Sequence, residues 1–125
     1  MSIEQVTVVQ PHDEIVWVVV HSAELRDEQT ATMQADVLAA AGQRPGLPVA
    51  LDLSKVVFFP SLSLGAIVTI MRELKKQGRK FVLLNLRPQV RETLTVTRLD
   101  RLFEIHDSLE HALIQMRGGS GEAGG

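Results

Sequence analysis

The chain contains no cysteine, and that one absence removes disulfides, iron–sulfur clusters, thiolate metal sites and cysteine nucleophiles together. A charge excess of either sign is also missing: 13 lysines and arginines stand against 15 aspartates and glutamates, a formal net charge of −2. Such a balance argues against nucleic acid as a partner and leaves protein or a small ligand as the expected contact. Long apolar runs are absent too. The longest, residues 15–20, is far shorter than the roughly 20 residues of a membrane span, and no basic-then-apolar signal pattern opens the chain. The expectation is a cytoplasmic protein without membrane insertion.

Signatures of catalysis are equally scarce. The histidines, His12, His21, His106 and His111, fall at turns, strand ends and a helix. They form no HExxH and no spacing that would gather three metal ligands, so they read as surface residues. Ser61 and Ser63 lack the flanking glycines of a G-x-S-x-G elbow, and neither a Walker loop nor G-x-G-x-x-G occurs. Asp52 and Asp100 lie far apart with no hint of pairing. No enzyme activity, no metal and no cofactor are expected.

What is present is core material. At 125 residues and 45% hydrophobic content, the chain suffices for one domain with a single core. Residues 6–9 and 15–20 are two β-rich runs separated by Gln10-Pro11-His12-Asp13-Glu14, the composition of a turn, so a hairpin opens the domain. The second run is too uniformly apolar for a strand with one wet face and should be covered on both sides. A first helix is predicted over 27–41, with Met33, Val37, Leu38 and Ala41 on one face and Gly42 as its stop. Residues 49–53 read as a buried strand. Ile67, Ile70, Met71 and Leu74 then mark a helix ended by Gly78. Lys75, Lys76, Arg79 and Lys80 form a basic cluster that reads as a solvated helix end. Residues 81–86 are the next buried strand, and Pro88 suits the first turn of a helix burying Val90 and Leu94. A short strand over 102–105 precedes a helix opened by a capping-box-like Asp107 and Glu110, burying Leu109, Ala112, Leu113 and Met116. Strands alternating with helices imply an α/β domain over 1–116, a mostly parallel mixed sheet of about five strands with about four helices, opened by an antiparallel hairpin. The Gly-rich tail, 117–125, is expected to be disordered.

The organising stretch is residues 55–71, where an extended apolar segment ends at Pro60 and a helix begins. Pro60 cannot donate a backbone hydrogen bond and biases Phe59 towards an extended conformation, while Ser61 offers a capping hydroxyl. The first-turn N–H groups and the helix dipole would welcome a phosphate, so Ser61 is at once a cap and a candidate phosphoacceptor. Ser63 is the cap instead if the helix starts two residues later. Of Phe58 and Phe59, alternation exposes one as a candidate aromatic anchor beside Ser61. Gly65 is expected to let the helix approach the sheet closely.

These residues resemble the STAS domain family, the fold of bacterial anti-sigma factor antagonists, found also in stressosome subunits and anion transporters. The resemblance covers about residues 3–116. It rests on element order, Glu24-Leu25 before the first helix, Leu51-Asp52-Leu53-Ser54-Lys55-Val56 before the junction, Ser61 with Leu64-Gly65 after it, and the ending 96–105. In that family the junction usually reads Asp-Ser-Ser/Thr-Gly-Leu-Gly, and the serine after the aspartate is phosphorylated by a partner anti-sigma kinase. Ser61 stands in that position. Pro60 replaces the aspartate, Leu62 the second hydroxyl residue, Ser63 the first glycine, and Arg26 stands where an aspartate is common. The resemblance implies an anti-anti-sigma factor with Ser61 as phosphoacceptor and Phe59, Pro60, Leu62, Ser63 and Arg26 as partner contacts. The alternative is a non-switching structural subunit of a stressosome-like or lipid-transport ATPase assembly.

Overall fold

A computed structural model describes residues 5–122, with side chains described as far as Arg117. The strands are β1 (Thr7–Gln10), β2 (Val16–Val20), β3 (Val49–Asp52), β4 (Phe81–Leu84) and β5 (Glu104–His106); the helices are α1 (Asp27–Gln43), α2 (Ser61–Lys76), α3 (Pro88–Val96) and α4 (Leu109–Glu122). One sheet runs in the order β1-β2-β3-β4-β5. The opening hairpin pairs antiparallel, Thr7 opposite Val20 and Gln10 opposite Trp17. Every later pairing is parallel, from Val16 opposite Val49 through Val49 opposite Phe81 to Val82 opposite Glu104. This is the mixed sheet that the alternation of elements predicts. The helix α4 continues to Glu122, into the stretch expected to form the tail, and residues 123–125 lie outside the described part.

Side chains alternate between two faces, as the two-residue period of a strand requires. Val16, Val18, Val20, Val49, Leu51, Phe81 and Leu83 join α1, α2 and α3 in the larger core. Ile15, Ala50, Val82 and Leu84 face the other way and meet Ala112 and Leu113 of α4, with Trp17, Leu109 and Met116 at the margin. Helices therefore cover both faces of the central strands, which is why the run 15–20 carries no polar alternation. Met33, Val37, Ile67, Ile70, Leu74 and Leu94 are fully buried, so the helical stripes read from spacing are the packed faces.

Several local expectations are corrected. The first helix passes through Gly42 to Gln43, and the positive φ that ends the segment belongs to Gly46, at 87°. Arg79 is not part of a solvated basic cluster but is 7% exposed. Its guanidinium donates to the carbonyl oxygens of Leu47, Ala41 and Arg44, each at 2.8 Å, and satisfies the end of α1 from a different element. Burial lowers its pKa from the usual arginine value. Gly78, at φ 70°, does close α2 as expected, with the Arg79 N–H returning to the Leu74 carbonyl at 2.9 Å. The cap of α4 is Ser108, not Asp107: its hydroxyl accepts the His111 N–H at 3.0 Å, while Asp107 is exposed and pairs with Arg91 at 3.3 Å. The last strand starts at Glu104, since Phe103 turns inward to meet Phe81 edge-on with ring centroids 6.4 Å apart. His106 is 7% exposed and thus no surface histidine.

Candidate functional site

The site is built where the end of β3 hands over to α2. Asp52 is buried at 5% exposure, yet both its oxygens are used: Oδ1 accepts the Ser54 N–H at 2.9 Å and Oδ2 accepts from Asn85 Nδ2 at 3.0 Å. Asn85 sits at φ 57°, a left-handed conformation that asparagine tolerates, and this turns its amide back across β3. Arg87 Nε donates to the Ser54 carbonyl at 2.8 Å. The ends of β3 and β4 are thereby laced together, and the segment leaving β3 is held at its root.

That segment then crosses to the entry of α1. The N–H groups of Val57 and Phe58 donate to the Ala23 carbonyl at 2.7 and 2.9 Å, and the Leu25 N–H donates to the Phe58 carbonyl at 3.1 Å. A single parallel bridge so pairs Glu24 with Phe58. In extended backbone neighbouring side chains point to opposite sides, and the bridge decides which aromatic faces out. Phe58 is 49% exposed and Phe59 only 7%, part of the larger core. Phe59, expected as a partner contact, is thus turned into the core, and Phe58 is the exposed ring of the pair.

Pro60, at φ −78° and ψ 173°, is the N-cap residue of α2, and no side-chain hydrogen bond caps the helix. Its carbonyl accepts the N–H groups of Ser63 at 2.9 Å and Leu64 at 3.2 Å. Ser61 is consequently the first helical residue and not a cap. It is exposed on the opening turn, and among the described residues its N–H and that of Leu62 have no backbone carbonyl. No acidic residue occupies the first turn of α2. Leu62 beside it is 53% exposed.

Ser63 goes the other way. It is fully buried, 2.8 Å from the Thr30 hydroxyl and donating to the Leu25 carbonyl at 3.2 Å, so it cannot touch a partner. It joins the N-terminal turns of α1 and α2 from inside. A signal for this was available: Ser63 lies four residues before Ile67 and seven before Ile70, on the same buried stripe. Gly65 is also corrected. A Cβ there would meet nothing within 4 Å, because Gly65 faces away from the sheet into the groove between α1 and α2.

Two adjoining depressions make up that groove. Arg26, Gln29, Phe58 and Pro60 line one, and Thr30, Ser61, Leu62 and Gly65 line the other, with Asp27 bordering both. Arg26, Pro60, Ser61 and Leu62 are therefore gathered on one surface with Phe58. Arg26 is exposed and pairs with Glu24, Nη2 to Oε1 at 2.6 Å. The arrangement is an exposed hydroxyl at a helix start, flanked by two exposed apolar side chains.

The elements together define an α/β domain with one mixed sheet. The STAS domain family model matches residues 6–112, and the chain belongs to that family. A candidate anti-sigma factor antagonist of Thermotoga neapolitana is 36% identical over 70 residues, 56% of this chain and 62% of that protein, so the match spans less than two thirds of that curated relative. The crystal structure of an anti-sigma factor antagonist from Mycobacterium paratuberculosis superposes with a TM-score of 0.77 at 27% identity, covering 89% of this chain and 92% of that one. The unphosphorylated form of the anti-sigma factor antagonist SpoIIAA, at 22% identity, shares the fold with a TM-score of 0.74 over 90% of this chain and 96% of that one.

Proposed function

We propose that this chain is an anti-sigma factor antagonist: it binds an anti-sigma factor kinase through the α1–α2 groove and is released when Ser61 is phosphorylated. The observation that carries the reading is the exposed Ser61 hydroxyl on the first turn of α2, between exposed Phe58 and Leu62. Phe58 and Leu62 supply apolar area, and Arg26 and Pro60 complete the contact. A phosphate on Ser61 adds about −1.5 to −2 charges at a helix N-terminus, where the dipole favours them, so the free domain tolerates the modification. The complex does not. An unpaired charge buried in a contact costs about 3–5 kcal/mol, more than a hundredfold in affinity.

Calorimetric titration against the cognate anti-sigma factor tests this. Ser61→Ala should bind like the native protein, and Ser61→Asp should keep the native thermal stability but lose at least tenfold in affinity. Phe58→Ala should weaken binding without a phosphate being involved. A second reading, a non-switching subunit of a larger assembly, draws on Pro60 and Leu62, which put a rigid and an apolar residue on either side of Ser61. Equal affinities for all Ser61 variants, with no phosphate found on Ser61 by mass spectrometry of protein from its native cell, would overturn the switch and favour that second reading.

A further inference from the structure

Where β5 meets the first turn of α4, two imidazoles face each other. His106 Nδ1 and His111 Nδ1 are 3.0 Å apart, with ring planes inclined at 61°. His106 Nε2 lies 2.7 Å from Glu104 Oε2. A carboxylate accepts and does not donate, so Nε2 of His106 carries a proton. The contact between the two Nδ1 atoms has the length of an N–H···N hydrogen bond, with one proton between the rings.

We propose that His106 and His111 form a divalent transition-metal site, in which the proton between the rings is lost and both imidazoles, turned from their mutual hydrogen bond, coordinate one ion through Nδ1. The neighbourhood is that of a metal-bound histidine: a carboxylate on the far nitrogen fixes the tautomer and ring orientation and raises the basicity of the ligand. Two imidazoles without a thiolate suit copper(II), nickel(II) and zinc, and the usual order of affinity puts copper(II) first. Among the described residues no third histidine, cysteine or carboxylate converges on the pair, so water fills the remaining positions. Access is open from the His111 side, which is exposed, while His106 is held in the protein. Two factors oppose the ion and moderate its affinity: Lys80 draws on Glu104 at 3.5 Å, and the N-terminal end of α4 is positive. Binding should therefore be weaker than at sites with three or four protein ligands.

Titration of the metal-free protein with copper(II), nickel(II) and zinc salts, read by isothermal calorimetry and by the copper(II) electron paramagnetic resonance spectrum, tests the site. The expected result is one copper(II) per chain with hyperfine structure from two nitrogens, bound more tightly than nickel(II) or zinc. His111→Ala, an exposed position, should weaken copper(II) at least tenfold. Glu104→Gln keeps a hydrogen-bond acceptor but removes the charge and should weaken it by a smaller factor. A His12→Ala, His21→Ala double variant should bind as the native chain does. Unchanged copper(II) affinity in His111→Ala, or loss of binding in the His12 and His21 variant, would overturn the site.

Discussion

Two serines, two positions apart, show how much a single residue's place decides. Ser61 and Ser63 both stand at the start of α2, yet one is exposed and the other fully buried. Ser63, Thr30 and the Leu25 carbonyl make three close contacts with only two hydroxyl protons between them, so one hydroxyl donates to the other and the second donates to the carbonyl. Ser63→Ala removes one hydrogen bond of this buried set while Thr30 keeps the Leu25 carbonyl, and should cost about 0.5–1.5 kcal/mol in urea denaturation. Ser61→Ala removes no cap and should stay within about 0.5 kcal/mol of the native chain. A larger loss at Ser61 than at Ser63 would mean that Ser61 caps α2 after all. The distinction matters for the proposed switch, because only a hydroxyl free of structural duty can accept a phosphate at no cost to the fold.

At the scale of elements, what was legible in the sequence is what depends on near neighbours in the chain. The stripe of Ile67, Ile70 and Leu74, the proline opening α3 and the glycine closing α2 follow from local periodicity and backbone preference, and they stand where those rules put them. The candidate site was legible in outline, since Ser61, Pro60, Leu62 and Arg26 do share a surface. Its details were not. Choosing Phe58 over Phe59 as the exposed ring requires the bridge to Glu24, a contact across 34 positions that no local pattern encodes. Arg79 is the sharper case. In sequence it continues a basic run, but three carbonyls at and beyond the end of α1 converge on its guanidinium. Arg79→Met keeps the aliphatic stem and removes the donors, and it should lower stability by about 1.5–3 kcal/mol, the range for hydrogen bonds to a charged group. Arg79→Lys should recover little, because one ammonium cannot span the same fork. Denaturant midpoints of both variants check this, and a methionine variant within about 0.5 kcal/mol of native would return Arg79 to the solvated cluster.

The molecule as a whole is held by two cores of unequal size, and their inequality should show in how it opens. On one face of the sheet, α1, α2 and α3 interlock around Met33, Ile67, Ile70 and Leu94; on the other, among the described residues, α4 covers Ile15, Ala50, Val82 and Leu84 through Ala112 and Leu113. An element held by few buried apolar contacts opens at a free energy below that of global unfolding. The ion pair of Arg117 with Glu14 adds a tie from α4 to the hairpin, and hydrogen bonding to Arg117 holds the Glu14 carboxyl below its ordinary pKa, but both partners are exposed and the tie is weak. Ile67→Ala should therefore lower global stability by about 2–5 kcal/mol, the cost of a core cavity, and raise amide exchange across α1, α2 and the central strands together. Leu113→Ala should act differently, raising exchange first in α4 while amides of β3 and β4 keep most of their protection. Hydrogen exchange followed by mass spectrometry separates the two outcomes. If Leu113→Ala loosens α2 as much as α4, the two cores form one cooperative unit. If it does not, the groove between α1 and α2 rests on the larger core alone, and α4 can be released without disturbing the surface that carries Ser61.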